Sequence, residues 1–260
     1  MRIALGLEYD GSAFCGWQTQ PSACGVQDHV QSALGRFTDS RIEVTAAGRT
    51  DTGVHASAQV IHFDTDVIRP KNAWVRGPNA CLDPAIRVLW SHEVPDDFHA
   101  RYSALSRSYR YLLLDDPVAP AILRGRVGWF HMRLDVDRMR EACAALVGEH
   151  DFSAFRSSEC QALSPVKTMR DVAIERRGAY WRFRFDADAF LHHMIRNIVG
   201  CLVAVGSGVR SVDWLAEVLD KRDRSLAAAT FAPDGLYFVG PYYDAAHGIP
   251  DRTAAMDWLP

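Results

Sequence analysis

The hydrophobic pattern changes period in a regular order along the chain. "RIALGLEYDG" (2–11) reads as an apolar strand. It is followed by "VQDHVQSALGRF", where Val26, Val30, Ala33, Leu34 and Phe37 recur at helical spacing. Two strand-like runs come next, "RIEVTAA" and "SAQVIHFD", then a weakly patterned helix in "PKNAWVRGPNACL" and an apolar strand, "AIRVLWSHEV". The second half repeats this order. "RSYRYLLLDD" (107–116) precedes a helix in "DVDRMREACAALVG", where Met139, Ala142, Cys143, Leu146 and Val147 keep the same spacing. "TMRDVAIERR" and "YWRFRFDAD" read as a hairpin turning at Arg177-Gly178. A strongly apolar helix, "DAFLHHMIRNIVGCLVAVG", an added helical stretch, "SVDWLAEVLDKRDRS", and a last strand, "GLYFVGPYY", complete the chain.

The order β-α-β-β-α-β, met twice, predicts an α+β fold of two duplicated ferredoxin-like subdomains, 1–104 and 105–260, with mostly antiparallel sheets and a central cleft. The seam falls near residues 103–107. One unrelated α+β domain whose halves are alike by chance is the alternative.

Composition changes this picture little. No run reaches the roughly 20 apolar residues of a membrane span, and Glu8 and Asp10 interrupt the first strand, so neither a membrane anchor nor a signal peptide is expected. Six cysteines (Cys15, Cys24, Cys81, Cys143, Cys160, Cys201) show neither a CxxC pair nor a zinc spacing. That predicts reduced thiols in a cytoplasmic chain, with no metal. The net charge of −3 argues mildly against nucleic acid. A local basic stripe is the better test, however, and all basic residues except Lys71, Lys167 and Lys221 are arginines.

The candidate chemistry begins in "GRTDTGVHA". Asp51 stands between Gly48 and Gly53 in a loop after a strand, with Arg49 two residues before it. The glycines permit backbone angles closed to other residues. A turn-capping aspartate accounts for the same residues. An aspartic protease does not: it needs two carboxylates sharing a proton, no second D-T-G or D-S-G occurs, and a neighbouring cation favours full ionisation. An ionised carboxylate suits a nucleophile or a cation-stabilising group instead.

Arg196 lies off the apolar stripe Leu191–Ile195–Ile198–Leu202 and on the side of His192, His193 and Gly200. It is either a carboxylate partner or part of a solvated helix face. The adjacent His192 and His193, read as helical, cannot both serve one metal. "FHARYSALSRSYRYLLL" interleaves Arg101, Arg107 and Arg110 with Phe98, His99, Tyr102, Tyr109 and Tyr111. Such alternation suits an RNA backbone beside unstacked bases, and it equally suits cross-strand aromatic packing. Tyr109 and Tyr111 share one strand face, with Arg110 on the other.

Taken in order, "GRTDTGVHA", "FHARYSALSRSYRY", "FLHHMIRNIVG" and "GLYF" closely resemble the TruA family of tRNA pseudouridine synthases, over nearly the whole chain. The resemblance implies an isomerase that makes pseudouridine at positions 38 to 40 of the tRNA anticodon stem-loop. It implies no cofactor or metal, and a homodimer in which one tRNA contacts both subunits. It further implies that Asp51 is the catalytic aspartate, that Tyr109 stacks on the target uracil, and that Arg196 is the basic partner of the aspartate. Arg49 and Arg69 match arginines linked to base flipping and tRNA contact, and Leu236 matches the apolar residue lining the uracil pocket. Phe98, His99 and Arg101 are expected to contact substrate. Thr52 departs from the alanine of many members. A glycosylase releasing free uracil and a non-catalytic RNA-binding module are the competing classes.

Overall fold

The computed structural model describes residues 1–252. In chain order the first elements are β1 (Arg2–Tyr9), α1 (Val26–Thr38), β2 (Thr45–Ala46), β3 (His55–Asp64), α2 (Ala73–Asn79) and β4 (Ile86–Val94). Next come β5 (Ala104–Asp115), β6 (Gly128–Phe130), α3 (Val136–Cys143), β7 (Gly148–Asp151), β8 (Val166–Arg177) and β9 (Tyr180–Ala187). The last are α4 (Met194–Gly206), α5 (Trp214–Lys221) and β10 (Leu236–Tyr243). Among the described residues, chain contacts divide the protein into two compact units: Met1–Ser106 together with 237–252, and Arg107–Leu236. Both are mixed α/β, with mainly antiparallel strand pairing. The end of the expected second half, 253–260, lies outside the described residues. Among the described residues no helix is long and apolar enough to cross a membrane.

In the first unit β1 is central, antiparallel to both β4 and β3. Ile3, Leu5 and Leu7 are buried, and successive strand residues point to opposite faces. On the face opposite these three, Gly6 leaves room for the Trp90 ring, which lies 2.0 Å from where a Cβ would stand. The other edge of β3 is shared. β2 pairs with Ile61 and His62, and β10 runs parallel beside His55 and Ala56. Helices α1 and α2 meet where Phe37 packs edge-on against Trp74 at 5.2 Å, and Trp74 in turn reaches Phe63 of β3 at 5.6 Å.

Two expectations need correction here. "RIEVTAA" yields only the two-residue β2, because the backbone of Val44 is bonded by glutamine side chains of α1 rather than by a ladder. Gln31 Oε1 accepts its N–H (3.0 Å) and Gln27 Nε2 donates to its carbonyl (3.3 Å). The thiols are not all reduced: Cys15 and Cys24 form a disulfide. The loop between them turns back so that Cys15 N–H donates to the Cys24 carbonyl (3.0 Å), which sets the two side chains together. Spacing alone carried no sign of that turn.

In the second unit β9 lies between β5 and β8, all antiparallel, with β7 on the far edge of β8. Tyr109, Tyr111, Trp181, Phe183 and Phe185 are buried. Arg110, Arg182 and Arg184, of opposite parity, pair with Asp186, Glu175 and Asp171 on the other face. The β8–β9 turn is Gly178-Ala179, with Gly178 at φ +64°. The strands β6 and β7 have three and four residues, too few to show a period. Helix α4 begins at Met194, later than the apolar pattern suggested, because His193 takes a left-handed conformation (φ +64°). His192 and His193 therefore precede the helix, with ring centroids 4.0 Å apart, and the argument that helical adjacency separates them does not apply.

Candidate active site

The turn carrying Asp51 is held from below by buried neighbours. Thr50 is buried, its hydroxyl is 2.8 Å from the Tyr9 hydroxyl, and its carbonyl accepts from Trp17 N–H (2.9 Å). Gln59, fully buried on β3, donates to the Gly48 carbonyl at 2.7 Å. Val54 N–H closes the turn onto the Asp51 carbonyl (3.1 Å), and Gly53 adopts φ +80°. Burial pushes the Tyr9 hydroxyl up to about 12, so it stays a neutral partner.

Two distant glycines let the chain reach this turn. At Gly11 a Cβ would stand 2.0 Å from the Val54 carbonyl oxygen. At Gly16 (φ +87°) it would stand 2.8 Å from that of Thr50. The Gly11 N–H donates to His55 Nδ1 (3.0 Å), and the His55 ring stacks on Tyr237 of β10 at 4.6 Å. Asp51 itself is half-buried, whereas Arg49 and Thr52 are exposed. The arrangement presents a carboxylate partly out of water on a turn whose backbone groups are bonded to buried partners.

The segment after β4 divides by burial. Phe98 is fully buried, its ring 5.2 Å from those of Tyr243 and His247. A ring so enclosed offers no face to an RNA, so Phe98 supports the segment and is not a contact. His99 is half-buried and Arg101 exposed. They sit in a column that runs outward from His62 through His99 (4.9 Å) and Tyr102 (4.3 Å) to the Arg101 guanidinium, 5.6 Å over the Tyr102 ring. Tyr102 is 76% exposed, an unusual outlay of aromatic surface. Burial pulls the inner His62 down to about 4, and burial followed by the Arg2 charge lowers His99. Arg69 is exposed, its guanidinium 6.0 Å over the Phe37 ring.

In the second unit Tyr109 is buried, edge-on to Phe190 at 5.1 Å. Arg110, behind it, donates to the Tyr109 carbonyl (3.0 Å) and pairs with Asp186 at 3.8 Å, while the Ser108 hydroxyl also bonds Asp186. Arg196 is half-buried. Its Nε donates to the Phe231 carbonyl (2.9 Å), and Phe231 N–H donates back to the Arg196 carbonyl (3.1 Å). Leu236 is buried at the start of β10. The preceding Gly235 lies against β5, its carbonyl accepting from Leu112 N–H at 2.8 Å, where a Cβ would meet the Leu112 oxygen at 2.1 Å.

Sequence reading passed over most supports of these residues: Thr50 and Gln59 for the turn, Phe190 for Tyr109, and Asn197 and Arg224 near Arg196. One signal was present. Asn197 is a lone amide in an apolar helix, and a buried polar side chain requires partners.

A family model described as tRNA pseudouridine synthase matches residues 7–103 and 142–244. The chain belongs to the tRNA pseudouridine synthase family, and so to the isomerases. It is 60% identical over 260 residues, all of both chains, to tRNA pseudouridine synthase A of Methylibium petroleiphilum. It is 56% identical over 264 residues, again all of both chains, to that of Polaromonas naphthalenivorans. To that of Burkholderia mallei it is 56% identical over 259 residues, 99% of this chain and 96% of the relative. These similarities place it in the TruA family.

Proposed function

We propose that this isomerase converts uridine to pseudouridine at positions 38 to 40 of the tRNA anticodon stem-loop, with Asp51 as the catalytic carboxylate. The observation that carries the reading is the Asp51 turn: a half-buried carboxylate on a turn where Trp17 N–H bonds the Thr50 carbonyl, the buried Gln59 amide bonds the Gly48 carbonyl and Val54 N–H bonds the Asp51 carbonyl. Such a group can meet a substrate without first reorganising.

The reaction breaks the bond from ribose C1′ to uracil N1, turns the base and rejoins it through C5. The C5 proton leaves and N1 gains one, so the product is an isomer. A stacked base cannot turn, so it must first be extruded. Arg49, exposed beside the turn, enters the vacated stack. Asp51 attacks C1′ or C6, or assists elimination. Tyr109 and Leu236 hold the detached uracil while it rotates, with Tyr109 helping to remove the C5 proton. Arg196 keeps Asp51 ionised. Arg69, Arg101 and His99 contact the RNA, and for Arg101 and His99 an exposed guanidinium and aromatic rings in one column support this, because phosphates and unstacked bases need both. A homodimer and a cytoplasmic location belong to the same reading and rest on family membership.

We also propose that residues 1–104 and 105–260 are duplicated ferredoxin-like halves. In support, the first runs β1-α1-β2-β3-α2-β4, with strand order β4-β1-β3 and β2 on β3.

Tritium release from tRNA labelled at uridine C5 tests the chemistry. Asp51→Asn should lower release by about 10,000-fold or more while leaving tRNA affinity nearly unchanged. Appreciable pseudouridine from that variant rejects the assignment. Free uracil from the unaltered protein would mark a glycosylase, and binding without release would mark an RNA-binding module.

A further inference from the structure

The segment Ala227–Ala232, ahead of β10, has no ladder of its own, yet side chains hold it along its length. Arg224 donates from one terminal nitrogen to the Ala228 carbonyl (3.0 Å) and from the other to Asn197 Oδ1 (3.0 Å) and Thr230 Oγ1 (3.2 Å). Thr230 donates to the same Asn197 oxygen at 2.7 Å, and Asn197, fully buried, is tied by its amide to the Phe155 carbonyl (2.8 Å). Ala228 N–H reaches Cys201 Sγ at 3.3 Å, and the Tyr111 hydroxyl donates to the Ala232 carbonyl at 2.8 Å. Between these points sits Phe231, whose carbonyl takes the Nε–H of Arg196.

An arginine held at Nε has the direction of its planar fork set by that bond. The Phe231 carbonyl thus orients Arg196, and the Arg224–Asn197–Thr230 junction fixes the Phe231 carbonyl. We propose that Arg224 is a positioning residue for Arg196, acting through this strap. Its guanidinium is committed to oxygens of the strap and of α4, so it works from behind the reacting groups. The inference rests on the reading of Arg196 as part of the catalytic set.

Kinetics on tRNA with single and double variants test it. Lysine keeps the charge but presents a point ammonium where a fork spans several oxygens. Arg224→Lys should lower kcat about tenfold, since small misplacements of a catalytic group cost about this much or more, with KM for tRNA within about twofold. Arg196→Lys should lower kcat more, by about 100-fold. The double variant should be no slower than Arg196→Lys alone, because Arg224 then has nothing left to aim. Losses that multiply in the double variant, or a rise in KM without a fall in kcat, overturn the positioning role. Full kcat in Arg196→Lys overturns instead the functional reading beneath it. If Arg224→Lys does not fold, Thr230→Val, which keeps the side-chain shape and removes the hydroxyl at the junction, enters the same cycle with the same expected result.

Discussion

The turn that carries Asp51 and the strap that adjoins Arg196 are both irregular backbone, and they are held in opposite ways. Backbone groups without a ladder must find other partners. At the turn these are close neighbours: Trp17 N–H on Thr50, Gln59 on Gly48, and chain pressed in at Gly11 and Gly16. At the strap they are chiefly the ends of long side chains: Arg224 on Ala228, Arg196 on Phe231 and Tyr111 on Ala232. The first arrangement is close-packed and has no slack for an added atom. The second depends on a particular hydrogen-bonding fork. The first arrangement suits a side chain that must stay fixed, and the second one directed from a helix.

The largest effect is expected from adding one methyl group beneath the turn. In Gly11→Ala the new Cβ meets the Val54 carbonyl oxygen at 2.0 Å, and both groups are backbone, so neither can rotate away. Overpacking of this kind costs about 3 kcal/mol. Urea denaturation should show that loss, accompanied by a fall in kcat because Val54 closes the Asp51 turn. A variant with unaltered stability and activity would mean that the turn has slack after all.

Acid separates the two regions next. His62 of β3 is buried, and its folded value of about 4 lies below the roughly 6.5 of an unfolded histidine. Between these values the unfolded chain takes up a proton that the folded chain refuses, so stability falls as pH drops through 6.5 and recovers as it rises. The expected loss between pH 8 and pH 5 is about 2 kcal/mol. The Asn197 and Thr230 side chains of the strap carry no ionisable group, and burial pushes the Tyr111 hydroxyl up, away from this range. Chemical denaturation across that range checks the slope, and His62→Gln should remove this share of it. An unchanged slope in His62→Gln would assign the acid sensitivity elsewhere.

Much of this was legible in the residues, and what was not has physical causes. Long elements with clear periodicity, such as α1, β3, β9 and most of α4, could be read directly, and glycines around Asp51 marked its turn. The boundary of α4 could not be read, because the left-handed His193 breaks the helix without a glycine or proline to announce it. The disulfide and the short β2 depend on how a loop folds back and on which side chains reach the backbone, and neither leaves a period. Phe98 was misplaced as a contact because alternation in "FHARY" does not tell a ring pointing inward from one pointing out. Arg224 was passed over because most of its partners are oxygens brought close only by folding.

The smallest change in stability should come from Gly200→Ala, the counterpart of Gly11→Ala in the second region. Here the added Cβ would stand 2.3 Å from the Ala229 carbonyl oxygen. That oxygen is backbone and must shift, as at Gly11, but Ala229 is exposed and has open space on its outer side, and alanine favours the helix over glycine by about 1 kcal/mol. The two effects oppose each other, and the net stability change should stay within about 1 kcal/mol. Activity should not be spared. Moving Ala229 displaces the neighbouring Phe231 carbonyl, which turns Arg196, so kcat should fall about tenfold while tRNA affinity holds. Stability and catalysis would then separate at the strap where they fall together at the turn. A loss of about 3 kcal/mol in Gly200→Ala, equal to that of Gly11→Ala, would show that the strap is as rigid as the turn and that the contrast between them is one of appearance only.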